Sequence, residues 1–316
     1  MATRIQSLRL LLLVAFFVAS ALAQSSVQDA ELQSLSRLLD DRPEELIARL
    51  ETIVQEGPSV SAYLLMAQAW TRIDANRSVG WLEKLFQLSP QHQEAWKLWA
   101  DIMVAGEQYD FAILRLEQQV RQNPSAYLHL LLAQIHVTTD SLSKAEIEFQ
   151  RAFEAASASE DNQIRALYSL GYLKLLVGDV QKGEHLLRQV LDRNSSYVPA
   201  LIDLSSLLLD IGQVKEAGRL LTRALQLESD NPEIILLLGR YHLGEGKWNE
   251  ALQILGKLLD KYPDNSQGHF FLGQAFQRSG MPEKARQHFH TFQGLKKKSR
   301  AKQQLRSHGL AAKEVK

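Results

Sequence analysis

The sequence predicts an all-α fold, a right-handed solenoid of about seven to eight antiparallel helix pairs, and three observations predict it. First, small residues recur at a fixed interval. Gly171, Ser205, Gly239 and Gly273 are each 34 residues apart, as are Gly178, Gly212, Gly246 and Gly280. Gly183, Ala217, Ala251 and Ala285 keep the same step, and so do the large residues Leu187, Leu221, Leu255 and Phe289. A constant period with small residues in register marks a stack of repeated supersecondary units. Second, the best-formed copy, Pro232 to Pro263, reads as two amphipathic helices around a turn at Gly246. Third, the composition is that of a folded chain. It is 45% apolar and 23% charged, with no cysteine and only eight prolines, most of which fall at repeat junctions.

Each element follows from local chemistry. The first 23 residues carry Arg4 and Arg9, then an apolar run, then Ala21-Leu22-Ala23. That order is expected of a secretory signal peptide cut before Gln24, and the run is short for a membrane span. Residues 24–58 read as a divergent helical cap. Asp40-Asp41-Arg42-Pro43-Glu44-Glu45 within it signals a helix start, with Asp as the N-cap and Pro in the first turn. Residues 59–293 form the repeat array, with 59–90 short by one turn residue and Ala155 to Asn162, AASASEDN, enlarging one junction. After Phe292 the periodicity weakens, and Leu295 to Ser307 reads as a basic capping helix within a tail, 294–316.

Glycine at the first small position lets the second helix of a pair cross closely, and glycine at the second takes the positive φ that ends a helix. With the Leu238-Gly239 pair, Gly246, Trp248, Ala251 and Pro263 at this spacing, the chain resembles the tetratricopeptide repeat (TPR) family, most clearly over 164–292. A looser copy holds Trp96, Trp99, Ala100, Tyr109, Ala112, Leu116 and Pro124; the next holds His129, Leu132, Ala133, Ala145, Phe149 and Ala152. Ser205 and Gly183 depart from the pattern without losing the register.

The resemblance implies that the first helices line a concave, partner-binding face. Its inward positions map to Lys97, Tyr127, Gln134, Arg165, Tyr168, Tyr172, Arg240, Phe270 and Arg278, with Leu130, Ile202 and Leu236 either lining the face or buried in the stack. One branch of the family grips a terminal carboxylate with paired Lys and Asn. The Asn are missing here, so that clamp is not expected; a stripe of Tyr, Leu, Ile and Phe flanked by Arg instead suits an apolar or mildly acidic segment, extended or helical.

No GxSxG, Walker A, GxGxxG or HExxH motif is present. His129 and His136 are seven apart, and His288 and His290 two apart, so neither pair has metal-ligand spacing and no cofactor or metal is expected. His129 falls at a packing position and His136 near the surface between helices. Asn76 and Asn194 begin glycosylation sequons that matter only in a eukaryotic source. Charge is zero overall but uneven. Eight basic residues, among them Lys296, Lys297, Lys298, Arg300 and Lys302, face one acid after Gln293, whereas residues 24–293 hold 26 basic against 35 acidic.

The expected protein is therefore a non-catalytic interaction scaffold or assembly factor of a bacterial cell envelope. It is exported to the periplasm or secreted, binds a protein or peptide partner and has no specific nucleic-acid site. The alternative is an envelope adaptor that attaches to anionic lipid or polymer through its tail.

Overall fold

In a computed structural model of the chain, residues 30–156 and 159–307 are described; the expected signal peptide, Lys313 and Lys316 lie outside them. The described residues are helical throughout, with no strand, and divide into two compact units after Ala156. The enlarged junction AASASEDN spans that division.

In the first unit, helical residues 30–35 and a 3-10 turn at Ser36–Leu38 precede α1 (Pro43–Glu56). Three hairpins follow: α2 (Val60–Ile73) with α3 (Ala75–Leu88), α4 (Gln93–Ala105) with α5 (Tyr109–Gln122), and α6 (Ala126–Thr138) with α7 (Leu142–Ala155). The N-cap of α1 is Arg42, not Asp40 or Asp41. Proline favours the first helical position, which puts the cap one residue before it. Asp40 instead pairs with Arg72 at 2.6 Å. The missing turn residue of the first hairpin is taken up by Asp74, which closes α2 and also caps α3 by accepting from the Asn76 N–H. The core is aromatic: Trp96 stacks on Phe86 at 4.0 Å, meets Trp99 edge-on and donates its indole N–H to the Pro90 carbonyl.

The second unit holds four hairpins: α8 (Glu160–Leu176) with α9 (Val180–Arg193), α10 (Val198–Asp210) with α11 (Val214–Leu227), α12 (Pro232–Gly244) with α13 (Trp248–Lys261), and α14 (Ser266–Arg278) with α15 (Pro282–Ser307). α15 is continuous, so the basic capping helix expected from Leu295 is the end of the last repeat helix. Within α10 to α15, the first helix of each pair packs on its own partner and on the first helix of the next pair. The first helices thereby form one layer.

The turn inside each hairpin of this unit carries glycine in the left-handed region, at φ +83°, +79°, +73° and +75° for Gly178, Gly212, Gly246 and Gly280. The residue after each donates to a carbonyl five residues back, for example Asp179 to Lys174 at 2.8 Å and Gln213 to Leu208 at 2.7 Å. This bond satisfies a helix-end carbonyl. Glu107 and Asp140 take the same conformation in the first unit, with the same bond. The period therefore continues where the glycine signal is lost.

The close crossing is equally regular. A Cβ on Gly239 would lie 2.4 Å from Leu255, and one on Gly273 would lie 2.8 Å from Phe289. Ser205 keeps the crossing by folding its hydroxyl back onto the Leu201 carbonyl. Gly256, on the other helix of the Gly239 hairpin, has open space around it. Gly239→Ala is expected to lower the unfolding free energy by about 1–3 kcal/mol through overpacking. Gly256→Ala is expected to raise it by about 0.5–1 kcal/mol, because alanine loses less entropy in a helix interior. Urea titrations followed by circular dichroism measure both; equal effects would overturn the assignment of Gly239 to a close crossing.

Candidate partner-binding face

The residues expected on the inward face divide into three groups. Lys97 and Gln134 in the first unit, and Arg165, Tyr172 and Arg278 in the second, are exposed. Tyr168, Arg240 and Phe270 are half-buried. Tyr127 is buried, at 8% exposure, and belongs to the core around Trp96 and Trp99; its place in the first turn of α6 sets it against the preceding hairpin. It is therefore a packing residue. Leu130, Ile202 and Leu236 are buried too. Phe270 packs against Phe289 and Phe292, at 6.0 and 5.2 Å between centroids, and so helps seat α15.

The second unit brings together a cluster that spacing alone did not define. Tyr168 and Tyr172, one turn apart on α8, stack at 6.4 Å. Tyr197, just before α10, approaches Tyr168 at 5.3 Å. The Tyr168 hydroxyl donates to Asp203 on α10 at 2.8 Å. Tyr172 caps the cluster with 46% of its surface open. Burial, then the Asp203 charge, push the Tyr168 hydroxyl far up, so it stays a donor; burial also raises Tyr197. Asp203 is raised by burial; the Tyr168 bond pulls it back in part, and the Glu233 charge on α12 adds to the rise.

Asp203 and Tyr197 were not among the expected face residues. The available signal was Asp203 itself, which stands mid-helix in α10, an otherwise apolar and hydroxyl-bearing segment apart from its final Asp210. Arg165 is held by Asp161 at 2.8 Å, and Arg240 by Asp210. At the turn end of α10, α12 and α14, Arg240 and Arg278 flank a cavity of about 460 Å³ whose walls include Leu209, Leu243, Trp248 and Phe271.

The histidines do other work. His129 is buried and bonds Glu148 at 2.6 Å, and Arg151 binds the other Glu148 oxygen at 2.6 Å. Burial pushes the Glu148 carboxyl up, but the His129 bond and the His129 and Arg151 charges more than offset it, and the group lies below the usual carboxylate range. His136, expected near the surface between helices, is buried at 3% exposure. His288 pairs with His269 at 2.9 Å, not with His290. No group of three or more metal-ligating side chains occurs among the described residues.

A sequence profile described as tetratricopeptide repeat matches residues 174–241, 208–269 and 242–305. The chain therefore carries tetratricopeptide repeats and has the all-α TPR solenoid fold. No curated protein sequence matches it. Among solved structures, it is similar to a chain of the APC/C hetero-tetramer Cut9–Hcn1, with a TM-score of 0.61, 13% identity, and 82% of this chain and 51% of that one covered. It is also similar to pilF of Pseudomonas aeruginosa, with a TM-score of 0.56, 14% identity, and 68% and 97% covered. MamA of Desulfovibrio magneticus RS-1 aligns with a TM-score of 0.47 and 21% identity over 55% of this chain and 96% of that one. At these identities the likeness concerns the fold.

The tyrosine cluster has a consequence for stability. A carboxyl whose pKa is raised by folding contributes stability that is complete below its unfolded pKa, about 3.9, and is lost as the pH rises through the folded value. Asp203→Asn keeps an oxygen for the Tyr168 hydroxyl and removes the charge. At pH 7 it is expected to be more stable than the parent by about 0.5–2 kcal/mol, the range common for single stabilising substitutions. The difference should vanish below about pH 4. Thermal melts across pH check this; a variant less stable at pH 7 would contradict the assignment.

Proposed function

We propose that the protein is a non-catalytic scaffold or assembly factor of the bacterial envelope, exported by its N-terminal leader, that holds a protein segment on the first-helix face of its second unit. One observation carries the reading. Tyr172 is an exposed aromatic fixed against Tyr168, whose own orientation is set by Asp203. A rigid ring with a polar tip gives large contact area at little entropic cost, and such residues concentrate binding energy. The leader's Arg4, Arg9, apolar run and Ala-Leu-Ala box support export.

A second reading has its own observation. Lys296, Lys297, Lys298 and Arg300 are all exposed on the final turns of α15, so the tail offers a concentrated positive surface to anionic lipid or polymer. Such attraction weakens with salt, since screening is nearly complete beyond about 10 Å at 0.1 M.

The full chain expressed in a bacterial host tests both readings. The mature protein recovered outside the cytoplasm should begin at Gln24 by mass; an intact Met1 terminus would refute export with cleavage. Used as bait, it should capture a partner that Tyr172→Ala loses, with affinity down by about 2 kcal/mol or more and the melting temperature unchanged. A variant that melts early yet binds normally would make Tyr172 a packing residue. Truncation after Gln293 should leave capture intact and abolish salt-sensitive binding to anionic liposomes. Equal liposome binding by the truncated chain would dispose of the tail reading.

A further inference from the structure

We infer that the cluster of Tyr168, Tyr172, Tyr197 and Asp203 receives the cationic end of a lysine or arginine side chain on a basic segment of a partner protein, with Asp203 as its counter-ion. The inference rests on the proposal that the first-helix face holds a partner and specifies what it holds.

The tyrosines supply the first half of the argument. The Tyr172 and Tyr197 rings lie 6.4 and 5.3 Å from that of Tyr168, and Tyr172 is open to the exterior. Aromatic faces carry negative potential and attract ammonium and guanidinium groups within about 6 Å, more strongly when water is excluded.

Asp203 supplies the second half. Its carboxylate accepts the Tyr168 hydroxyl, one bond for a group with about four acceptor sites. No ion pair of Asp203 or Glu233 is found among the described residues. Arg165, whose charge acts on Tyr197, is held by Asp161. Farther along the same unit, Arg188 is committed to Glu184 and Glu216, and Arg240 to Asp210. A half-buried carboxylate without a cation is costly to a folded protein, and a ligand that brings the cation recovers that cost on binding. Glu233 adds charge of the same sign. Charge of that sign favours a basic segment over an acidic one at this end of the face.

The test uses short fluorescent peptides that differ only at a central residue: lysine, arginine, Nε-acetyl-lysine or glutamate. Anisotropy titrations against the full chain should give a lysine or arginine peptide at least tenfold tighter than the acetyl-lysine one. The lysine and arginine arms identify which cation is preferred. Asp203→Asn should bring the lysine and acetyl-lysine affinities to within about twofold while its melting temperature at pH 7 stays at or above the parent's. Tyr172→Ala should weaken both. Equal binding of lysine and acetyl-lysine by the parent, or tighter binding of glutamate, would overturn the cation assignment. If Tyr172→Ala still abolished that binding, the docking face itself would stand. Absence of binding by every peptide up to millimolar concentration would overturn both.

Discussion

The structure depends on one steric constraint: in each good hairpin a residue without bulk faces a large apolar one, so the two helices meet at close range. Gly239 against Leu255 and Gly273 against Phe289 show it directly. Close approach lets each pair act as a single block, and the next block then covers its exposed stripe. The left-handed glycine inside each hairpin of the second unit serves the same end by fixing where the second helix begins. Stability in such a stack is a sum of local and nearest-neighbour terms, so no single large core is needed. The side chains left over on the first-helix layer are free to be selected for something other than packing.

That freedom shows in the contrast between two polar clusters. His129, Glu148 and Arg151 form a closed set in which both carboxylate oxygens are taken, and Glu148 is held as an anion. The cluster at Asp203 is open: one hydroxyl meets the carboxylate, and its neighbour Glu233 makes matters worse. A closed set contributes to folding specificity, whereas an open one retains interaction energy for a ligand. The two are chemically similar and differ in whether the protein completes them itself.

Much of this was legible in the sequence. Period, turn glycines, small residues and the Trp248 and Pro263 landmarks placed the helices of the second unit because each reports a local backbone requirement. The first unit was harder because Glu107 and Asp140 occupy left-handed positions that sequence patterns assign to glycine. The face was partly legible. Spacing placed Tyr168 and Tyr172 together, but it treated Tyr127 as their equivalent, and only the neighbouring hairpin with its tryptophans shows that Tyr127 is covered. Asp203 was missed because its partner lies 35 residues away on another helix.

The last helix carries a different kind of consequence. Its final turns crowd Lys296, Lys297, Lys298 and Arg300 onto a segment beyond Phe292, the last aromatic that packs on Phe270. Lys296 and Arg300 are four residues apart, a like-charge spacing that weakens a helix, and both lie more than a turn before Ser307, beyond the reach of the helix dipole. The like charges therefore repel one another along the helix surface. A polyanion lying along it would relieve that crowding.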